Sequence, residues 1–302
     1  MEHKTVRKPD FIIVGMPRSG TTSMYTYLKQ HPGLYLSVYK EPHFFGKDLT
    51  PTVYGIREED VYYSLFSGAG EKQLSGEASV WTMASRTAAA EIYAVNPAAK
   101  IIIMLRNPID MIYSLHDLYL RTGNEDTVDF QQALEKEPQR KQGSAIPPGC
   151  YFPEGLCYTE VGRYNEKVER LVEVFGMGEA ASTQEGTSRA VHVVIFDEFV
   201  KETASSVKGV LEFLGVDPGV PLEFEMKKAL AMIRPQVLKQ LRRARPEVRK
   251  LVALKPDEVH MGSVRPPMSR GLRSHLKGLF GEDIEKTGQF IGKDLMYWMD
   301  KV

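Results

Sequence analysis

The stretch Gly15-Met-Pro-Arg-Ser-Gly-Thr-Thr22 sets two glycines, an arginine and three hydroxyl side chains between an apolar run and a helix-compatible segment. A strand that ends in such a turn and opens a helix leaves backbone N–H groups aimed at one spot, where the helix dipole also favours an anion. A phosphate-sized ligand is the expected guest. In the loop that binds nucleoside triphosphates, a lysine after the second glycine reaches the β and γ phosphates and the hydroxyl beside it holds Mg²⁺. Here that lysine position is Thr21, and the basic residue lies inside the loop as Arg18. This argues against hydrolysis of ATP or GTP and for an adenylyl ligand held without a metal. The plainer reading is an ordinary strand-to-helix turn.

Two further groups of residues have the types that chemistry needs. Leu105-Arg106-Asn107-Pro108 follows an apolar run and continues to Tyr113-Ser114. Arg106 can fork onto phosphate oxygens, Pro108 suits the first turn of a helix, and Ser114 lies two turns along it. Taken alone, this is equally a strand exit with a helix start. The other group is Tyr39-Lys40-Glu41-Pro42-His43-Phe44-Phe45. Read without context, Lys40 and Glu41 are a surface ion pair and His43 a packed core histidine.

Pro17-Arg18-Ser19-Gly20-Thr21-Thr22 resembles the 5′-phosphosulfate loop of the sulfotransferases that use 3′-phosphoadenosine 5′-phosphosulfate (PAPS), whose versions read P-K/R-x-G-T-T/S. The resemblance implies that Pro17, Arg18, Ser19, Gly20, Thr21, Thr22 and Ser23 bind this cofactor. It implies that Arg106 and, eight residues on, Ser114 hold its 3′-phosphate. Lys40-Glu41-Pro42-His43-Phe44-Phe45 is similar to the K-E-x-H-F-F stretch of heparan-sulfate and related carbohydrate sulfotransferases. There the glutamate is the catalytic base and the histidine lies beside the transferring group.

Glu41 is therefore the implied base, with His43, Arg18 and Lys40 completing the catalytic set. A hydroxyl acceptor needs a base within hydrogen-bond reach, and a carboxylate held between aromatic rings has its pKa raised towards a useful value. Gly162-Arg163-Tyr164, Phe213-Leu214-Gly215 and Arg265-Pro-Pro-Met-Ser-Arg270 also fit the family's pattern. Arg265 and Arg270 become candidates for the 3′-phosphate, with a solvated loop charge as the other reading of Arg265. One departure is informative. Heparan-type enzymes follow their next strand with Glu-Lys, whereas this chain has Gly76-Glu77-Ala78-Ser79, and Ala78 cannot make the lysine's contact with substrate. The resemblance covers nearly the whole chain and supports the nucleotide chemistry better than a polyanionic glycan acceptor.

These residues must be positioned by alternating strands and helices. Apolar runs at 11 to 14, 100 to 105 and 191 to 196 have the β-branched density of strands buried on both faces. A short strand is expected at 34 to 38. Helical patterns fall at about 19 to 30, 84 to 95, 108 to 121, 160 to 175 and 201 to 214, the last ending at Gly215. The expected fold is α/β, a P-loop-like three-layer αβα arrangement around a central, mostly parallel sheet, with ligands at the carboxyl ends of the strands. We expect a single domain over 1–302. Within it, a polar, partly helical lid or insertion spans 122–158 and a helical cap spans 219–302. In the cap, Arg242, Arg243, Arg245, Arg249 and Lys250 form a basic run broken at Pro246, read as a solvated helical face. Two short helices, about 269 to 280 and 282 to 292, close the fold.

The 39 basic residues balance the 39 acidic ones, so no bulk field holds the chain on nucleic acid or an anionic membrane. Cys150 and Cys157 are expected to be free thiols. There is no signal-peptide run, no membrane span and no Asn-x-Ser/Thr acceptor, which points to a cytoplasmic protein. The function implied by the resemblance is transfer of the sulfuryl group of PAPS, without a metal, to the hydroxyl of a carbohydrate or small-molecule metabolite, releasing PAP. The alternatives are a P-loop small-metabolite kinase, which Thr21 disfavours, and a catalytically silent PAP-binding protein, which has no need of Glu41 and His43.

Overall fold

The computed structural model of the chain describes residues 6–52, 54–176, 190–254 and 266–300. Every residue of β1 (Phe11–Gly15) is buried, as in a strand covered on both faces. Ile12 and Val14 pack into one apolar cluster, Phe11 and Ile13 into another, because successive strand side chains point to opposite faces. After β1 come α1 (Thr21–Leu28), β2 (Leu34–Leu36), α2 (Glu59–Ser64), β3 (Leu74–Ala78), α3 (Ala88–Val95) and β4 (Lys100–Leu105). The middle of the chain forms α4 (Pro108–Thr122), α5 (Phe130–Glu135), α6 (Glu137–Lys141), α7 (Tyr158–Gly162) and α8 (Asn165–Phe175). β5 (Val191–Ile195) leads into α9 (Phe196–Lys201) and α10 (Thr203–Leu214), and α11 (Met226–Arg243), α12 (Pro246–Leu254) and α13 (Arg270–Ile291) follow.

Among the described residues five strands form one sheet, all parallel, in the order β2-β3-β1-β4-β5. Side chains of α3, α4, α8 and α13 share the cluster of Ile12, while those of α1 and α10 share the cluster of Phe11. The sheet is thus the middle of three layers, the P-loop-like α/β class expected, with a sheet that is wholly rather than mostly parallel. After β1 the chain passes to one face through α1, and after β4 to the other through α4. The loops leaving these neighbouring strands diverge and open a crevice at their carboxyl ends.

Several boundaries differ from the sequence expectations. β5 stops at Ile195, because Phe196 opens α9. The helix expected at 84 to 95 is a 3₁₀ turn (Val80–Ala84) followed by α3. The two expected C-terminal helices are one, α13, running through Gly281. Leu276, Phe280, Ile284 and Ile291 bury one face of it, which outweighs the roughly 1 kcal/mol that an interior glycine costs. The segment 122–158 is organised around a buried ion pair, Arg140 to Glu125 at 2.7 Å, with the Tyr158 hydroxyl donating to the same carboxylate at 2.9 Å. In the basic run, Arg245 pairs with Asp60 at the surface, as a solvated face would. Both cysteines are free. Among the described residues no helix is long and apolar enough to cross a membrane.

Candidate active site

The phosphate loop is shaped by backbone conformations that few residues adopt. A Cβ on Gly15 would lie 2.5 Å from the carbonyl oxygen of Met104. Arg18 (φ 69°) and Gly20 (φ 90°) are both left-handed, a turn geometry that gathers N–H groups into an anion-binding concavity. A Cβ on Gly20 would meet the Phe196 ring at 2.9 Å. α1 has neither a side-chain N-cap nor an acidic residue in its first turn, so its leading amides keep their donors for a ligand. The Ser19 hydroxyl is buried beside that of Tyr164.

The second signature locks onto the first. Asn107 caps α4, its Oδ1 accepting from the Ile109 N–H at 3.0 Å while its Nδ2 donates to the Trp298 carbonyl at 2.9 Å. Pro108 occupies the first helical position, where its missing N–H costs nothing. Arg106 is thereby aimed at the loop: it donates to the Arg18 carbonyl at 2.9 Å and lies 4.7 Å over the Phe196 ring. Arg18 Nε donates to Ser114 Oγ at 2.9 Å. Burial lowers the pKa of both guanidinium groups, and the charge of Arg106 lowers that of Arg18 further. Two crowded, half-buried cations at a helix N-terminus gain from an anion between them.

The loop after β2 carries the base candidate. Glu41 (φ 61°) and His43 (φ 45°) are left-handed as well, so three of the four described non-glycine residues with positive φ are Arg18, Glu41 and His43. Such strain costs about 1–3 kcal/mol per residue and persists only where the surroundings over-determine it. Here the Glu41 N–H donates to the Ala78 carbonyl at 2.8 Å and the His43 N–H to Ser79 Oγ at 3.1 Å. The Phe44 ring stacks on Tyr62 at 4.0 Å. Lys40 Nζ bonds the Glu41 carboxylate, and His43 Nε2 lies 3.5 Å from its other oxygen. Phe44 and Phe45 turn into the core, where burial favours them, while Lys40 and His43 lie against the Glu41 carboxylate.

Sequence reasoning missed Glu77. It is the next-to-last residue of β3, with 0% exposure, and accepts from Ser79 Oγ at 2.7 Å and from the Tyr62 hydroxyl at 3.4 Å. Burial pushes its carboxyl up to about 7 in spite of those bonds, and the nearby charge of Glu41 adds to the rise. The Ser79 hydroxyl thus links a buried carboxyl to the backbone of His43. The only signal in the sequence is an acidic residue within a short strand.

A cavity of about 400 Å³ is lined by Pro17, Arg18, Thr21 and Thr22 from the loop and by Glu41 and His43. Its other walls come from Trp81, α4 and residues 148 to 151, so part of the 122–158 segment roofs it. Arg106 and Ser114 bond Arg18 from outside the lining, and Ser19, Gly20, Ser23 and Lys40 are not part of the lining. Arg270 is exposed at the first turn of α13. α13 reaches α4 through Arg273 and Asp110 at 2.9 Å. Arg265 lies outside the described residues. Among the described residues no group of three or more His, Cys, Asp or Glu side chains is placed to hold a metal ion.

A family model described as sulfotransferase domain matches residues 8–275. Carbohydrate sulfotransferase 15 of Mus musculus is 28% identical over 172 residues, covering 43% of this chain and 30% of that protein. The chain thus matches less than a third of that relative's length. The crystal structure of a sulfotransferase from Alicyclobacillus acidocaldarius superposes with a TM-score of 0.74 at 28% identity, over 97% of this chain and 99% of that one. A mouse sulfotransferase solved in complex with PAP superposes with a TM-score of 0.51 at 16% identity, over 95% of this chain and 88% of that one, a likeness of fold.

Proposed function

We propose that this chain, which belongs to the sulfotransferase domain family, moves the sulfuryl group of PAPS onto the hydroxyl of a carbohydrate or small-molecule acceptor. The observation that carries this reading is a shared space: Arg18, Thr21 and Thr22 of the anion loop line the same cavity as Glu41 and His43. The residues present fit the nucleotide. The loop amides, Arg18 and the buried Ser19 hydroxyl suit a 5′-phosphosulfate, and Arg106 with Ser114 suits a 3′-phosphate. PAP, bound in the mouse neighbour, is the product this reading requires.

Bound there, PAPS supplies an activated sulfuryl group. Glu41 takes the proton of the acceptor hydroxyl as its oxygen bonds to sulfur, and the bond from sulfur to the 5′-phosphate oxygen breaks with its electron pair on the phosphate. Arg18 and the loop N–H groups hold the charge that grows there, in a site that is already organised. Lys40 and His43 orient the Glu41 carboxylate. Arg106 and Ser114, joined by Arg265, select against ATP, because leaving them unpaired is costly. The 122–158 segment serves as the lid over the acceptor.

Thermal melting separates this reading from its rivals. PAP at about 100 times its dissociation constant should stabilise the protein by about 2.7 kcal/mol, and PAPS with an acceptor should release PAP. Stabilisation by ATP with Mg²⁺ and not by PAP would replace the reading with a kinase, and PAP binding without turnover of any acceptor would leave a silent binder.

A further inference from the structure

The edge of the sheet carries a second cavity, of about 410 Å³, that shares no lining residue with the first. Among the described residues β2 pairs with β3 alone, and α11 reaches it through Gln240, whose Nε2 donates to the Leu36 carbonyl at 3.3 Å. Leu34, Leu36, Leu65 and Val248, all buried, form the apolar wall. Lys29, Lys239 and Arg243 also line the cavity, and among the described residues no carboxylate does. The basic run of the cap thus divides: Arg245 turns out to Asp60, whereas Arg243 faces the cavity one helical turn from Lys239. Like charges at that spacing repel each other.

Lys29 is the anomaly. It caps α1 with 2% exposure. Its three N–H donors go to the Tyr25 hydroxyl at 2.9 Å and to the Leu36 and Ser37 carbonyls at 3.1 and 3.2 Å, all neutral acceptors. Burial lowers its pKa to about 7, with no carboxylate to offset the loss of hydration. A buried charge is ordinarily paired, and nothing in this wall pairs it.

We infer that the cavity is a second, non-catalytic binding site for a small organic monoanion, an oxyanion head such as a carboxylate on a compact apolar body. The inference goes beyond the sulfotransferase reading and does not depend on it. Arg243 forks onto the head and Lys239 adds a second donor, while Lys29, whose donors are spent, contributes its charge from the wall. A cation would be repelled by all three, and a neutral guest would leave Lys29 uncompensated. Inorganic anions gain nothing from the leucine wall, whereas an apolar body gains by leaving water there. The bound anion also holds Lys29 protonated, so binding above pH 7 takes up a proton. Besides Lys239 and Arg243 of α11, the titratable groups on this side of Lys29 are the hydroxyls of Tyr25 on α1 and Tyr35 on β2, both pushed up by burial, away from neutrality.

Calorimetry on the full chain with 2-naphthoate and its neutral isostere 2-naphthamide tests the site. We expect the anion to bind at least about 10-fold more tightly than the amide, as a hydrogen bond to a charged group allows. Lys239→Gln combined with Arg243→Gln, both at exposed positions, should weaken 2-naphthoate by about 10-fold or more and leave 2-naphthamide unchanged. At pH 8, paired buffers of different ionisation enthalpy should show uptake of about half a proton or more per anion bound. Lys29→Met should abolish that uptake. Because Lys29→Met also removes three hydrogen bonds, the exposed double variant carries the test if the buried one does not fold. Four results would each overturn the inference: no binding of 2-naphthoate below about 1 mM, equal binding of the amide, unchanged affinity in the double variant, or no proton uptake by the parent chain.

Discussion

Arg18 and Ser114, 96 residues apart, are joined by a hydrogen bond of 2.9 Å from Nε to Oγ. The loop after β1 and the second turn of α4 therefore form one unit, and Arg106 closes it from behind through the Arg18 carbonyl. Both proposed phosphate contacts of the nucleotide are built into this unit, so a change in one signature is felt at the other.

Arg106→Ala should weaken PAP binding by about 10- to 100-fold, since hydrogen bonds to a charged group contribute about 1.5–3 kcal/mol. Ser114→Ala should cost less, about 10-fold at most by the same reasoning. Isothermal calorimetry with PAP measures both, and unchanged affinity in Arg106→Ala would remove this arginine from the site.

Glu41→Gln keeps the shape of the side chain and removes its basicity. Turnover should fall by about 100- to 10,000-fold, the usual contribution of a general base, while PAP binds as before. Near-normal PAPS-dependent turnover would mean that another group takes the proton.

Glu77 makes stability depend on pH in a defined direction. Its carboxyl sits at about 7 in the folded chain against an ordinary 4.5, burial being the main cause. Between those values the folded state keeps a proton that the unfolded state has released, so stability contributed by this group falls as pH rises from about 4.5 to about 7 and is level above. Glu77→Gln lacks this titration. The stability of the parent minus that of the variant, from urea melts across this range, should decline by up to about 3 kcal/mol. A flat difference would show that Glu77 ionises normally.

Two glycines should respond with opposite signs. Gly20→Ala places a Cβ at φ 90° and 2.9 Å from Phe196, so it should destabilise the fold by about 1–3 kcal/mol and weaken PAP binding with it. Gly281→Ala lies inside α13 with its nearest neighbour the end of the Met299 side chain at 3.4 Å. It should stabilise by about 0.5–1 kcal/mol. Paired thermal melts, with and without PAP, test both substitutions.

The sequence by itself determined what is encoded in contiguous residues. Phe11 through Thr22 specifies strand, turn and helix, because the apolar run, the two glycines and the hydroxyl-rich helix start are neighbours. Arg106-Asn107-Pro108 specifies a strand exit, a cap and a first helical turn for the same reason. Helix length was less legible where burial outweighed propensity: Gly281 reads as a break, yet the buried face of α13 carries the helix through it.

Tertiary structure alone decided which of these local pieces meet. Parallel pairing of β1 with both β3 and β4 brings the carboxyl ends of three strands together, and with them Arg18, Arg106 and the Glu77–Ser79 corner. The bond from His43 to Ser79 spans 36 residues, a separation at which no helical or strand period signals contact. The aromatic wall, gathered from Tyr54, Trp81, Tyr119 and Tyr151, has no sequence pattern of its own, because each ring lies on a different element. Local hydrogen bonding and φ preferences wrote the anion loop into the chain, whereas the acceptor side exists only once the sheet order has set those elements around one cavity.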